Sequence, residues 1–163
     1  MIEIYEKLNH IPGFERILER FKDSSKPISV SGLIGSSRTL LAAWLFEITG
    51  KSVFFLSPDQ ESSERAFDDF CAFLEKEEVS LFPSWEIQPY EIRAPHAENI
   101  GDRLRSLFEL SSNRSRIICA SGIALMEPTA SREYLGDLAF DLSIGSTIDP
   151  GFLAGRLVKM GFT

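Results

Sequence analysis

With 163 residues, of which 44% are hydrophobic and 13 are Phe, the chain has the length of one domain, or of one domain with a small appendage, and the means to bury a core. Its 24 acidic residues outnumber 17 basic ones, for a formal charge of -7, which argues against a surface that binds nucleic acid as a whole and leaves only local basic patches for that task. The N-terminus lacks a basic-then-apolar leader and no apolar run approaches ~18 residues, so a soluble cytoplasmic protein with no membrane contact is expected.

Residues 2–22 read as helix, interrupted near Ile11-Pro12-Gly13. Phe14, Ile17, Leu18 and Phe21 recur at helical spacing, while Glu15, Arg16, Glu19, Arg20 and Lys22 form a solvated face, so a helix laid against a sheet is expected. Pro27 to Ser31 reads as the first strand. Then comes Gly32-Leu33-Ile34-Gly35-Ser36-Ser37-Arg38-Thr39, followed by an apolar segment, Leu40 to Ile48, that reads as a helix buried on more than one side and ended by Gly50.

Strand, glycine-bearing turn and helix are the setting of a phosphate-binding P-loop, G-x-x-x-x-G-K-[ST]. The spacing fits, but Ser37 stands for the second glycine and Arg38 for the lysine. A working loop needs that glycine where the backbone curves most tightly, a compact ammonium for the β- and γ-phosphates, and a hydroxyl for Mg²⁺. Thr39 keeps the hydroxyl, but a guanidinium is longer and wider than an ammonium. No Asp-Glu pair follows an apolar run to hold the metal and activate water. The candidate cofactor-binding residues are therefore Gly32, Gly35, Ser36, Ser37, Arg38 and Thr39 of a degenerate loop expected to be empty, with no catalytic residue and no metal ligand. A nucleotide enzyme, a weak anion site built from the loop amides and Arg38, and a plain strand-to-helix turn capped by Ser36 or Ser37 all remain readings of these residues; the two departures favour the turn.

Ser52-Val53-Phe54-Phe55-Leu56 is an unbroken apolar run, as in a parallel strand covered on both faces. Ser57-Pro58-Asp59-Gln60 reads as a capping box with Ser57 as N-cap. The helix behind it carries Phe67, Phe70, Cys71 and Leu74 inward, and Glu61, Glu64, Asp68 and Asp69 toward water. Val79 to Phe82 is a third strand. Pro83 to His96 holds three prolines in fourteen residues together with Trp85, Ile87 and Tyr90, and so reads as an ordered loop wrapped over the core, with Trp85 and Tyr90 as packing anchors or, on the functional side, as stacking platforms for DNA. The next helix is expected to turn Ile100, Leu104, Leu107 and Phe108 inward. Arg93, Arg103, Arg105, Arg114 and Arg116 are interleaved with Glu91, Glu98, Asp102 and Glu109, which reads as a mixed solvated face.

Arg116 to Ala120 is a fourth strand and Ser121 to Glu127 a short helix capped by Ser121. Strand and helix alternate to this point, as in a parallel α/β sheet with helices on both faces. From Pro128 the texture changes: Leu138 to Ile144 alternates with period two, as a half-exposed antiparallel strand does, Gly145-Ser146 turns the chain, and Asp149-Pro150 opens a last helix. Two units follow, residues 1–127 and residues 128–163; the second holds one strand and one helix, too little for a core of its own, so a fragment of a longer protein is expected. Cys71 and Cys119 each fall in an apolar run, as buried reduced thiols do, and with His10 and His96 as the only histidines there is no zinc spacing.

Phe82-Pro83-Ser84-Trp85-Glu86-Ile87-Gln88-Pro89-Tyr90-Glu91, with the degenerate loop, Ala94-Pro95-His96, Arg103-Leu104 and Leu157 to Phe162, resembles the N-terminal part of the bacterial transcription-repair coupling factor family, often called Mfd. The match runs from Pro27 to the C-terminus. It implies an α/β fold of the degenerate P-loop NTPase (RecA-like) type, similar to domain 1a of the excision-repair protein UvrB, followed by the start of a small α+β domain. It further implies a non-catalytic module that helps recruit the excision-repair protein UvrA through the second domain and masks the protein by contact with its own C-terminal region. RNA polymerase, DNA, ATP and Mg²⁺ would be engaged by motor domains absent from this chain. The rival is UvrB itself, a nucleotide- and DNA-binding helicase half, which would keep Gly and Lys in its loop and carry a tyrosine-rich hairpin after the third strand.

Overall fold

The computed structural model describes residues 2–8, 10–23, 27–87, 92, 96–112, 114–138 and 142–159. In chain order the elements are α1 (Ile2–Leu8), α2 (Pro12–Asp23), α3 (Ser37–Thr49), β1 (Val53–Ser57), α4 (Gln60–Phe73), β2 (Val79–Phe82), α5 (Ala97–Ser111), β3 (Ile117–Ser121), α6 (Gly122–Met126), α7 (Arg132–Leu138) and α8 (Pro150–Lys159). The strands form a parallel sheet in the order β1-β3-β2, so the chain is α/β, with a small sheet of three strands among the described residues. β3 is central: Val53 pairs with Ile117 on one side and Val79 pairs with Ile117 on the other.

Every residue of β3 is buried, and its alternation divides the core. Ile117 and Cys119 face α3 and α4, with Trp44, Phe46 and Phe70. Ile118 and Ala120 face the other way, with Phe82, Ala124 and Leu107 of α5. Helices thus cover both faces, as the continuous apolar strand of a parallel sheet requires. Trp44 is fully buried and meets Phe14 edge-on at 4.9 Å between centroids, and Phe14, Ile17 and Leu18 of α2 pack against the core cluster that holds Trp44 and Ile117. Gly50 ends α3 in the left-handed conformation (φ 61°), its N–H donating to the Phe46 carbonyl, as the sequence suggested. Both cysteines are free thiols; Cys119 is buried, and burial pushes its thiol up to about 12, beyond ordinary reactivity.

Several local expectations are corrected. Pro27 to Ser31 is not a strand; it runs as irregular chain with only Ile28 half-buried, because apolar content forms a strand only where a neighbour supplies a ladder. Phe54 and Leu56 are 47% and 57% exposed, so β1 is covered on one face only: α5 and α6 lie over β2 and β3 and leave the edge strand bare. The N-cap of α4 is Asp59, not Ser57: its carboxylate accepts the Ser62 N–H at 2.8 Å. That hydrogen bond holds the Asp59 carboxyl below its ordinary range, while Ser57 closes β1.

Leu138 ends α7, Leu142 and Ser143 are irregular, and Ile144-Gly145 is a turn, so no antiparallel strand stands at 138–144 among the described residues; residues 139–141 lie outside them. The Gly145-Ser146 turn is present, closed by the Ser146 N–H on the Ser143 carbonyl at 3.1 Å with Gly145 at φ 91°. Asp149 accepts the Gly151 N–H at 2.9 Å at the start of α8, as expected of an Asp-Pro opening. α7 packs on α5 and buries Leu135.

Candidate functional site

The degenerate loop lies at the end of irregular chain, at the N-terminus of α3. Gly32 and Gly35 both carry positive φ, 83° and 57°, so the turn needs glycine where the sequence supplies it. Two of the hydroxyls that follow are engaged within the protein. Ser36 occupies the N-cap position but makes no side-chain cap bond. The Ser37 hydroxyl donates to the Ile34 carbonyl at 2.8 Å and the Ser37 N–H points to the same oxygen at 3.3 Å. The expected capping by Ser36 or Ser37 is therefore replaced by closure of the turn on itself. Ser37, standing where a P-loop has glycine, supplies the hydroxyl that fastens the loop shut.

Thr39 is buried, and its hydroxyl lies 2.8 Å from the Ser36 carbonyl and 2.9 Å from Asp69 Oδ2 of α4. The hydroxyl that would hold Mg²⁺ is instead tied to the neighbouring helix. Asp69 accordingly does not belong to the solvated face that sequence assigned to Asp68-Asp69; it is half-buried and joins α4 to α3. Arg38 is exposed, with no ion pair among the described residues. A groove of ≈ 670 Å³ opens between Arg38, Ser57, Arg65, Asp68 and Asp69. Arg65 is paired with Glu61, and two carboxylates face the space a polyphosphate would need. One loop amide and the hydroxyls of Ser37 and Thr39 are committed within the protein. No group of three or more potential metal ligands occurs among the described residues.

The second constellation surrounds Arg103. Sequence placed this arginine on a mixed solvated face and turned Leu104 and Phe108 of its helix inward. The reverse is found: Arg103 is 1% exposed, Ser106 is buried, and Leu104 and Phe108 are exposed. Ser106 donates to the Leu81 carbonyl at 2.6 Å, fixing this rotation of α5. The Arg103 guanidinium lies over the rings of Phe82 and Trp85, at 4.2 and 4.3 Å from the centroids. It donates to the Pro83 carbonyl at 2.7 Å, to Glu127 at 2.9 Å, and more distantly to the carbonyls of Ala124 and Pro128. Burial lowers the guanidinium's proton affinity, and Glu127 opposes that loss. Glu127 also accepts the Trp85 N–H through both oxygens, at 3.0 and 2.9 Å. Ser84 is held from two further sides, its N–H by Gln60 of α4 at 3.0 Å and its carbonyl by Asn99 at 3.2 Å.

Trp85 is thus an anchor packing the loop onto the core, one ring face covered by Arg103. Tyr90 and Arg93 lie outside the described residues. Of the other arginines, Arg105 pairs with Glu109 at 3.0 Å and Arg114 is exposed. Arg116 is buried against Glu109 at 2.6 Å and Ser80 at 3.0 Å, so two of the five arginines read as solvated are interior. Glu127 escapes a reading of the sequence because its acceptor role spans 24 residues to Arg103 and 42 to Trp85. The available signal was an Arg three residues before a Ser on a helix whose other inward residues are few.

No protein-family model matches the chain. Among curated proteins, the transcription-repair-coupling factor of Bacillus subtilis (strain 168) is 26% identical over 149 residues, which cover 91% of this chain and 13% of that protein. The Escherichia coli (strain K12) transcription-repair-coupling factor is 24% identical over 130 residues, 80% of this chain and 11% of that protein. UvrABC system protein B of Thermosipho africanus is 24% identical over 92% of this chain and 24% of that protein. The chain is similar along most of its length to both kinds of protein, which bears out the resemblance carried by the Phe82–Glu91 run, and it spans 11–13% of the length of these coupling factors. No described helix is long and apolar enough to cross a membrane.

Proposed function

We propose that this chain is a non-catalytic interaction module, the N-terminal part of a transcription-repair coupling factor. In this reading residues 1–127 are a degenerate P-loop (RecA-like) unit and residues 128–163 begin the small unit that recruits UvrA. ATP and Mg²⁺ are used by motor domains elsewhere in the longer protein, where RNA polymerase and DNA are also engaged, and the module masks itself against the C-terminal region until polymerase is bound. The whole protein works in the cytoplasm on stalled transcription.

The role in repair is supported by similarity to coupling factors and to UvrB. The observation that carries the non-catalytic half is the closure of the loop on itself: Ser37 on Ile34, Thr39 on Asp69. A second reading, the nucleotide- and DNA-binding half of a UvrB-like helicase, is favoured by the similarity to UvrB and by the exposed Arg38 beside the groove. Phosphate release from Mg²⁺–ATP, with and without duplex DNA, separates the two. The module is expected to match the enzyme-free blank in both conditions. DNA-stimulated release that Arg38→Ala abolishes would favour the helicase half and overturn the first reading.

A further inference from the structure

Arg103 and Glu127 do more than neutralise one another, because each also holds a different stretch of irregular backbone. Through its carbonyl contacts Arg103 touches Pro83, at the start of the loop after β2, and Pro128, where the chain leaves α6 toward α7. Glu127, one residue before Pro128, holds the Trp85 amide. We propose that Arg103 and Glu127 form a buried latch that fixes the Pro83–Ile87 loop and the Pro128–Leu138 segment together, so that the two are released as one unit.

Three observations carry this. Both segments are held by the same ion pair: Arg103 donates to the Pro83 carbonyl and to the Pro128 carbonyl, and Glu127, which precedes Pro128, accepts the Trp85 N–H. The interior charge depends on the latch, since Arg103 Nε is buried without a hydrogen-bond partner among the described residues and Glu127 is the one carboxylate paired with it there. The loop also holds strain next to the latch. Glu86 adopts φ 53°, a left-handed conformation that costs a non-glycine residue energy and persists where the surroundings enforce it, here directly after the Trp85 amide. Release would relieve that strain and uncover the Trp85 ring together with Arg103. A partner that binds either segment in its released form would therefore favour release of the other, by the reciprocity of linked equilibria.

Native-state hydrogen exchange on the whole chain, followed at increasing low concentrations of urea, tests the latch. In the wild type, amides of Ser84–Ile87 and of 129–138 are expected to share one opening free energy and one urea dependence, lying below those of β3. Trp85→Ala removes the ring that stacks on Arg103 and is expected to speed exchange in 129–138 by about tenfold, although none of the contacts described for the indole ring is to that segment. If the two stretches open with different urea dependences, or if exchange in 129–138 is unchanged by Trp85→Ala, they open independently and the latch is overturned. The wild-type comparison needs no variant, so it decides the question even if Trp85→Ala does not fold.

Discussion

Glu127→Ala is expected to lower stability by about 3–5 kcal/mol in urea denaturation, the range for removing one partner of a buried ion pair. The size follows from what is left behind. Arg103 cannot leave the interior without unstacking from Phe82 and Trp85, and it cannot give up its proton, so the variant keeps an uncompensated charge in place. The Trp85 N–H loses its acceptor at the same time. Glu127→Gln retains an acceptor for that amide and is expected to cost less. The internal reference is Glu61→Ala: the Arg65–Glu61 pair lies on the surface of α4, its side chains 75% and 74% exposed, and its loss is expected to change stability by less than about 1 kcal/mol. Equal effects of Glu127→Ala and Glu61→Ala would mean that Arg103 is not held as a buried charge.

Trp44→Ala is expected to cost about 3–5 kcal/mol as well, by a different route. Trp44 is fully buried on α3 where Phe14 of α2 meets it, so truncation leaves a cavity between helix and sheet and removes the aromatic contact that fastens α2. Because only Trp85 then remains, half-buried, the variant's fluorescence is expected to shift to longer wavelength than that of the wild type. A stability loss below about 1 kcal/mol would take Trp44 out of the core's principal contacts.

How much of the fold is legible in the sequence depends on the range of the interaction. β1, β2, β3 and the helices between them follow from apolar runs and helical periodicity, and Gly50 and Ser121 mark their helix ends where expected. Asp59 and Ser57 are both competent caps two residues apart, and only the path of β1 selects Asp59. Pro27–Ser31 has the composition of a strand but no neighbour to pair with among the described residues, and neighbours are a property of the fold, not of the segment. Arg103 is misread from sequence because counting apolar residues on α5 gives no credit to an arginine whose carboxylate and aromatic partners come from elsewhere in the chain. The degenerate loop is legible as a departure from a motif; that Ser37 and Thr39 turn inward to satisfy Ile34 and Asp69 is not.

Whether the loop Gly32–Thr39 is a self-satisfied turn or a nucleotide site is tested most directly by titrating the chain with a fluorescent ATP analogue, with and without Mg²⁺. No saturable binding is expected up to physiological ATP concentrations, and none that depends on Mg²⁺, because the Thr39 hydroxyl is engaged by Asp69. Tight, Mg²⁺-dependent binding that is lost in Arg38→Ala would contradict the self-satisfied turn.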